Sequence, residues 1–164
     1  KPVVAIYSTF MQRAVDQLIH DIALQNVPAV FVLDRAGPVP DDGETHQGIF
    51  DISLLRPIPN ISLLAPSSEK ELELCLEWAV EQSFPVVIRY PKGQIPKENQ
   101  EVASPIECGK GVLIKNKKNE KTECLYVCTG GILPEVEKAT EILSQKNINP
   151  DIYNLRFLKP LDKE

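Results

Sequence analysis

The chain reads as an α/β protein: a parallel sheet flanked by helices, followed by the beginning of a second α/β domain. Three observations predict this. Short, solidly apolar runs recur at Val3–Ile6, "AVFVL" (29–33), "ISLL" (61–64) and "VVI" (86–88). They lack the alternation of a half-solvated sheet and read as strands covered on both faces. Between them the apolar period changes to three and four, and such alternation of strand and helix signals points to parallel pairing.

After the first strand, Met11, Ala14, Val15, Leu18, Ile19 and Ile22 form one helical face. Thr9 with Gln12 suggests a capping box, so the helix is expected to begin near Thr9. After the second strand comes a long polar stretch, "DRAGPVPDDGETHQGIFD", Asp34 to Asp51. Loops of about fifteen residues are uncommon in compact domains and tend to be functional or disordered. The third strand leads into "SSEKELELCLEWAVEQ", a helix with Leu72, Cys75, Leu76, Ala79 and Val80 inward and a Ser68/Glu71 capping box. "PVVIRY" is the fourth strand. "PKGQIPKENQEVASP" breaks the pattern with Pro, Gly and charge and reads as a linker. Beyond it, "GKGVLIKNKKNEKTECLYVCTGG" suggests two strands joined by a charged turn, then a helix from Leu133 and a strand at "PDIYNL". The expected division is 1–100, a linker at 101–108, and an incomplete second unit at 109–164.

At 164 residues with 43% hydrophobic and 25% charged residues, the composition is that of an ordinary globular chain. The net charge of -5 argues against a general nucleic-acid surface. No apolar run is long enough to span a bilayer. The four cysteines form no CxxC pair, and the simple reading is a reduced, intracellular setting. The first residue is not Met and the first strand begins at once, so a fragment of something longer is expected.

In open parallel sheets ligands gather at the carboxyl ends of strands. Tyr7 follows the first strand, Arg35 the second, and Arg89 with Tyr90 the fourth. Two arginines on one edge suit a phosphate or carboxylate; the alternative is that each pairs with a local carboxylate, Arg35 with Asp34 or Asp41. His46, near Asp42, has the residue type for moving protons, although spacing alone favours a surface or structural histidine. Phe10 lies off the main helical stripe and is expected to face a ligand or a partner subunit. The residues by themselves reach an anion-binding edge and no reaction.

The motifs "IYSTF", "QRA", "DRAG", "DGETHQG" and "RYPKG", in this order and spacing, resemble the central domain of the 1-deoxy-D-xylulose-5-phosphate synthase family, within the transketolase-like thiamine diphosphate enzymes. The resemblance is unbroken from Lys1 to about Gly93. From Gly109 onward, "LYVCTGGILPEVEKA" and "LRFLKPLD" are similar to the opening of that family's third domain. It implies a transferase that condenses pyruvate with D-glyceraldehyde 3-phosphate, releasing carbon dioxide, in non-mevalonate isoprenoid synthesis. The implied cofactors are thiamine diphosphate and Mg2+, the thiazolium ring supplying the electron sink. The implied partners are the two substrates, an N-terminal domain of the same protein and a second copy in a homodimer, without nucleic acid or membrane. The implied setting is the cytoplasm or a plastid-type organelle.

Carried over residue by residue, the resemblance assigns Phe10 and Arg13 to the cofactor's aminopyrimidine. It assigns Arg35, Arg89 and Tyr7 to the substrate phosphate, and Asp42 and His46 to the reacting substrates, with His46 as the proton-transfer group. No metal ligand is assigned here: the diphosphate, its metal and an activating glutamate belong to segments before Lys1, and the isolated chain is expected to be inactive. Pro38 and Pro40 depart from the family's apolar and small residues and stiffen the loop's first half. Two other readings stand beside this one. A transketolase or the beta subunit of a 2-oxo acid dehydrogenase would share the fold class, although "DRAG" and "IYSTF" speak against it. A non-catalytic binding module is the other.

Overall fold

In the computed structural model, which describes residues 1–93, 96, 102–116 and 121–163, the apolar runs form a five-stranded sheet. Its strands are β1 (Val3–Tyr7), β2 (Val30–Asp34), β3 (Ser62–Leu64), β4 (Val86–Arg89) and β8 (Phe157–Lys159), in the order β1-β2-β4-β3-β8. The first four are parallel, and β8 closes the edge antiparallel to β3. A smaller sheet holds β5 (Val112–Ile114), β7 (Pro150–Asn154) and β6 (Cys124–Cys128), with β7 in the middle, antiparallel to β5 and parallel to β6.

The central strands are solidly apolar because successive side chains enter different layers. Phe31, Leu33, Leu63 and Val87 face a cluster with Met11, Leu18, Leu55 and Ile58, whereas Val30, Leu64, Val86 and Ile88 face Cys75, Ala79 and Phe157. β1 is an exception to the expected double coverage. It is the sheet's edge, and Val3 and Val4 are exposed.

The first helix is broken where one was expected. α1 (Ser8–Met11) ends in a turn; α2 (Val15–Gln17) then continues as a π-helical stretch, Leu18–Ala23. The Thr9/Gln12 capping box does not form. Tyr7 is the N-cap, and the Thr9 hydroxyl donates instead to the Thr45 carbonyl at 3.2 Å. The predicted stripe still faces the core, with Met11 and Leu18 buried and Ala14, Val15, Ile19 and Ile22 packed against it.

α4 (Glu69–Glu81) is capped as expected by Ser68, whose hydroxyl accepts from the Glu71 amide at 3.1 Å. Its inner face is rotated from the predicted one. Cys75 and Ala79 are buried, Leu76 and Val80 are exposed, and Trp78 packs edge-on to Phe157 at 5.3 Å. The Glu71 carboxylate turns inward and fixes Arg156 at 2.6 Å, both fully buried. The Arg156 guanidinium in turn donates to the carbonyls of Val102, Ser104 and Pro105, which ties the segment before β5 to α4. α5 (Leu133–Ser144) lies against the small sheet.

β5 and β6 are not a hairpin, because β7 separates them. The charged turn predicted between them falls at 117–120, and part of the predicted linker at 94, 95 and 97–101; these positions lie outside the described residues. Cys75 and Cys128 are buried and Cys108 and Cys124 exposed, all four as free thiols. Among the described residues no helix is long and apolar enough to cross a membrane.

Candidate functional site

Parallel pairing in register brings three strand ends together. Tyr7 lies opposite Asp34, and Leu33 opposite Arg89. Arg35, one residue past β2, adopts φ 57, a left-handed conformation that a side chain takes at a cost. Its amide donates to the Asp34 carboxylate at 2.6 Å. The opposite wall is Gly48: a Cβ there would stand 2.2 Å from the Arg35 carbonyl oxygen and 2.8 Å from Ser8 Oγ, so only glycine permits the approach.

The polar stretch after β2 is not structureless. Gly37 and Gly48 pair through reciprocal backbone hydrogen bonds of 2.7 and 2.9 Å and pinch the loop at its base. Within it run two 3-10 turns, Pro40–Asp42 and Glu44–His46. The Gln47 side chain staples them from inside, accepting from the Val39 amide and donating to the carbonyls of Val39 and Gly43. Helix α3 (Asp51–Leu55) follows, in a segment where no element was predicted.

A row of aromatic and cationic groups crosses this edge. The Arg35 guanidinium lies 4.1 Å from the Tyr7 ring centroid. Tyr7 stacks on Phe10 at 5.3 Å, Arg13 lies over Phe10 at 4.9 Å, and His46 meets Phe10 edge-on at 5.4 Å. Thr9, Phe10, Gln12, Arg13, Thr45 and His46 line an open cavity of about 500 Å³. An aromatic face with polar groups around it fits a flat heteroaromatic ring. Two buried polar atoms nearby, Ser8 Oγ and Arg35 Nε, have no partner among the described residues.

Both arginines are paired with carboxylates, and the partner of Arg35 is neither Asp34 nor Asp41. Arg35 Nη1 bonds Asp42 Oδ2, and Arg89 Nε bonds Asp51 Oδ2 at 2.7 Å. Asp51 is buried, and its other oxygen accepts the Ile52 amide at 2.8 Å, so it is a fixed anchor that orients Arg89. Asp42 also accepts Lys92 Nζ at 2.7 Å. The hydrogen bonds from Lys92 and Arg35 outweigh burial and hold its carboxyl below the usual range, and Asp42 raises Arg35 in return. Asp42 is therefore an anion at neutral pH and supplies charge rather than an acidic proton.

His46 is half-buried, with Nδ1 2.9 Å from the Thr45 hydroxyl and Nε2 unengaged among the described residues. All seven residues singled out from the sequence thus lie along one stretch of surface. Lys92, Gln47, Gly48 and Asp51 were missed. "RYPKG" and "THQG" contain Lys92, Gln47 and Gly48, but the roles of Asp51, Gln47 and Lys92 depend on contacts across 38, eight and 50 residues that no local pattern encodes.

No group of three or more His, Cys, Asp or Glu side chains among the described residues is placed to hold a metal ion. The described residues fit the ring portion of a thiamine cofactor and supply no metal ligand set of their own.

A family model described as "Transketolase, pyrimidine binding domain" matches residues 1–98, and one described as "Transketolase, C-terminal domain" matches residues 115–164. Over its whole length the chain is similar to the 1-deoxy-D-xylulose-5-phosphate synthases of Treponema pallidum, at 57% identity, and Desulforudis audaxviator, at 44%. It spans 26% and 25% of those proteins, about a quarter of the curated relatives it matches. Its fold is similar to that of a split-gene transketolase described as an inactive tetramer, with TM-score 0.83 and 23% identity over 98% of this chain and 51% of the other. A Pichia stipitis transketolase variant gives TM-score 0.84 and 23% identity over 99% of this chain and 24% of the other. At that identity the solved structures establish the fold alone. The synthase relatives bear out the family resemblance read from the motifs, and with its pyrimidine-domain match covering more than half of its length, the chain belongs to the transketolase pyrimidine-binding domain family.

Proposed function

We propose that this chain forms the pyrimidine-side wall and substrate-phosphate seat of a 1-deoxy-D-xylulose-5-phosphate synthase. The whole enzyme would condense pyruvate with D-glyceraldehyde 3-phosphate and release carbon dioxide. The observation that carries the reading is the continuous row Arg35–Tyr7–Phe10–Arg13 with His46, set across adjacent strand ends. Phe10 and Arg13 hold the aminopyrimidine ring. Thiamine diphosphate supplies the electron sink for decarboxylating pyruvate, and its Mg2+ is held by residues outside this set. Arg35 and Arg89 grip the phosphate of the aldehyde, Asp51 orienting Arg89 and Tyr7 supporting Arg35. His46 accepts or returns a proton at Nε2 while Thr45 fixes Nδ1. The units 1–100 and 109–164 are read as two domains joined at 101–108, a division supported by the separate family matches. A second copy of the chain, an upstream domain and a cytoplasmic or plastid-type setting complete the proposal. A transketolase-type activity is disfavoured because the named relatives over the whole chain are synthases.

The test is steady-state kinetics in a polypeptide of the relatives' full length. Arg35→Ala is expected to raise the KM for D-glyceraldehyde 3-phosphate by at least tenfold, the scale of one charge-assisted hydrogen bond, and to change that for pyruvate little. Equal changes for both substrates would remove Arg35 from the phosphate seat.

A further inference from the structure

Asp42 makes unusual use of its carboxylate. One oxygen takes Arg35 and the other takes Lys92, so the group sits between two cations as a bound anion would. It is nearly covered, with a side-chain exposure of 10%, whereas Lys92 reaches it from outside at 37%. The contrast with Asp51 is informative. Asp51 is buried and spends one oxygen on the start of α3, so it belongs to the scaffold. Asp42 accepts no backbone hydrogen bond among the described residues; both its oxygens go to side-chain cations. It ends the 3-10 turn Pro40–Asp42 and is followed by Gly43 at φ 72, a conformation that glycine adopts freely.

We propose that Asp42 is a built-in occupant of the anion seat, and that Lys92 is a third cation of that seat beside Arg35 and Arg89. The inference rests on the reading of Arg35 as a phosphate ligand. The Asp42 carboxylate neutralises Arg35 and Lys92, which keeps two cations organised without leaving them unpaired. A phosphate-bearing ligand exchanges for the carboxylate and takes both cations, and the displaced Asp42 swings out about Gly43. Affinity for the phosphate is thereby lowered by the competition. A ligand without a doubly charged group, which can hardly outcompete a tethered carboxylate, is rejected more strongly than by arginines alone.

The test measures inorganic phosphate binding to the 164-residue chain by phosphorus NMR and calorimetry at low salt, with melting temperature as the folding control. Asp42→Asn is expected to tighten phosphate binding about tenfold, since it removes a charged competitor from two charge-assisted hydrogen bonds. Lys92→Met is expected to weaken it by a similar factor, and Asp42→Glu to behave like the parent because charge and reach are kept. Unchanged or weaker binding in a folded Asp42→Asn chain overturns the proposal, as does unaltered affinity in Lys92→Met. Should Asp42→Asn fail to fold, Lys92→Met and Asp42→Glu decide the matter. Arg35→Met separates the two readings. If it abolishes binding while Asp42→Asn has no effect, only the competition is lost. If it leaves phosphate binding intact, the phosphate seat itself is misplaced.

Discussion

His46 illustrates how placement decides what a residue can do. It carries no part of the apolar core; it stands on a 3-10 turn, touches the edge of Phe10, and is fixed at Nδ1 by Thr45. Losing it removes little packing but takes away an imidazole able to accept and return a proton. In the full-length enzyme His46→Ala is expected to lower turnover by about 100-fold or more, the usual scale for a general acid or base, while the melting temperature stays within a degree or two. Turnover intact beside a lowered melting temperature would make the histidine structural. Asp42 and Asp51 make the complementary point. Two aspartates meet two arginines on one edge, and the second oxygen of each tells them apart: Asp51 accepts a backbone amide, Asp42 a lysine.

The small sheet depends on a different carboxylate. Asp151 opens the central strand β7 and is nearly inaccessible. Burial alone would push its carboxyl up. It is overcome by hydrogen bonds from the Thr122 hydroxyl at 2.7 Å, the Asn116 amide at 2.9 Å, Lys115 at 3.0 Å and the Asn116 side chain at 3.0 Å, which bring it below the ordinary range. A carboxylate lowered on folding stabilises the native state at pH above its unfolded value, about 3.9. That contribution is lost as pH falls through the lower folded value. Acid unfolding followed by circular dichroism is expected to show a steep limb below about pH 4. In Asp151→Asn the limb should flatten and the stability at pH 7 should drop. An unaltered pH profile would mean that the four donors stabilise nothing beyond what water supplies.

At the scale of the whole molecule, Glu71 and Arg156 join what the sequence separates by 85 positions. Arg156 follows the small sheet's central strand, while Glu71 opens α4 over the large sheet. Around them Asn154 donates to Glu71, and Ser67 donates its amide and hydroxyl to the same carboxylate. Breaking a buried ion pair by removing one partner typically costs about 3–5 kcal/mol, because the other charge stays buried and unpaired. Arg156→Ala is expected to destabilise the chain on that scale. The only tryptophan, Trp78, packs against Phe157 next to Arg156, so its fluorescence during denaturant unfolding is a direct reporter. A loss below about 1 kcal/mol, the scale of an exposed pair, would show that the pair is not the fastening.

The sequence by itself determined the α/β class, the four parallel strands, the α4 cap at Ser68 and the family. Each of these is written in local signals: apolar runs, period, capping residues and contiguous motifs. It also marked the residues of the edge, because parallel strands of known direction put Tyr7, Arg35 and Arg89 at one end. Only the tertiary structure decided that β7 enters between β5 and β6, that β8 joins the first sheet, and that α4 turns Trp78 rather than Leu76 inward. Only it paired Arg35 with Asp42 rather than Asp34 or Asp41, Arg89 with Asp51, and Lys92 with Asp42. Strand order and ion-pair choice are settled by competition among distant segments for the same space and charge, and no residue's neighbours along the chain carry that information.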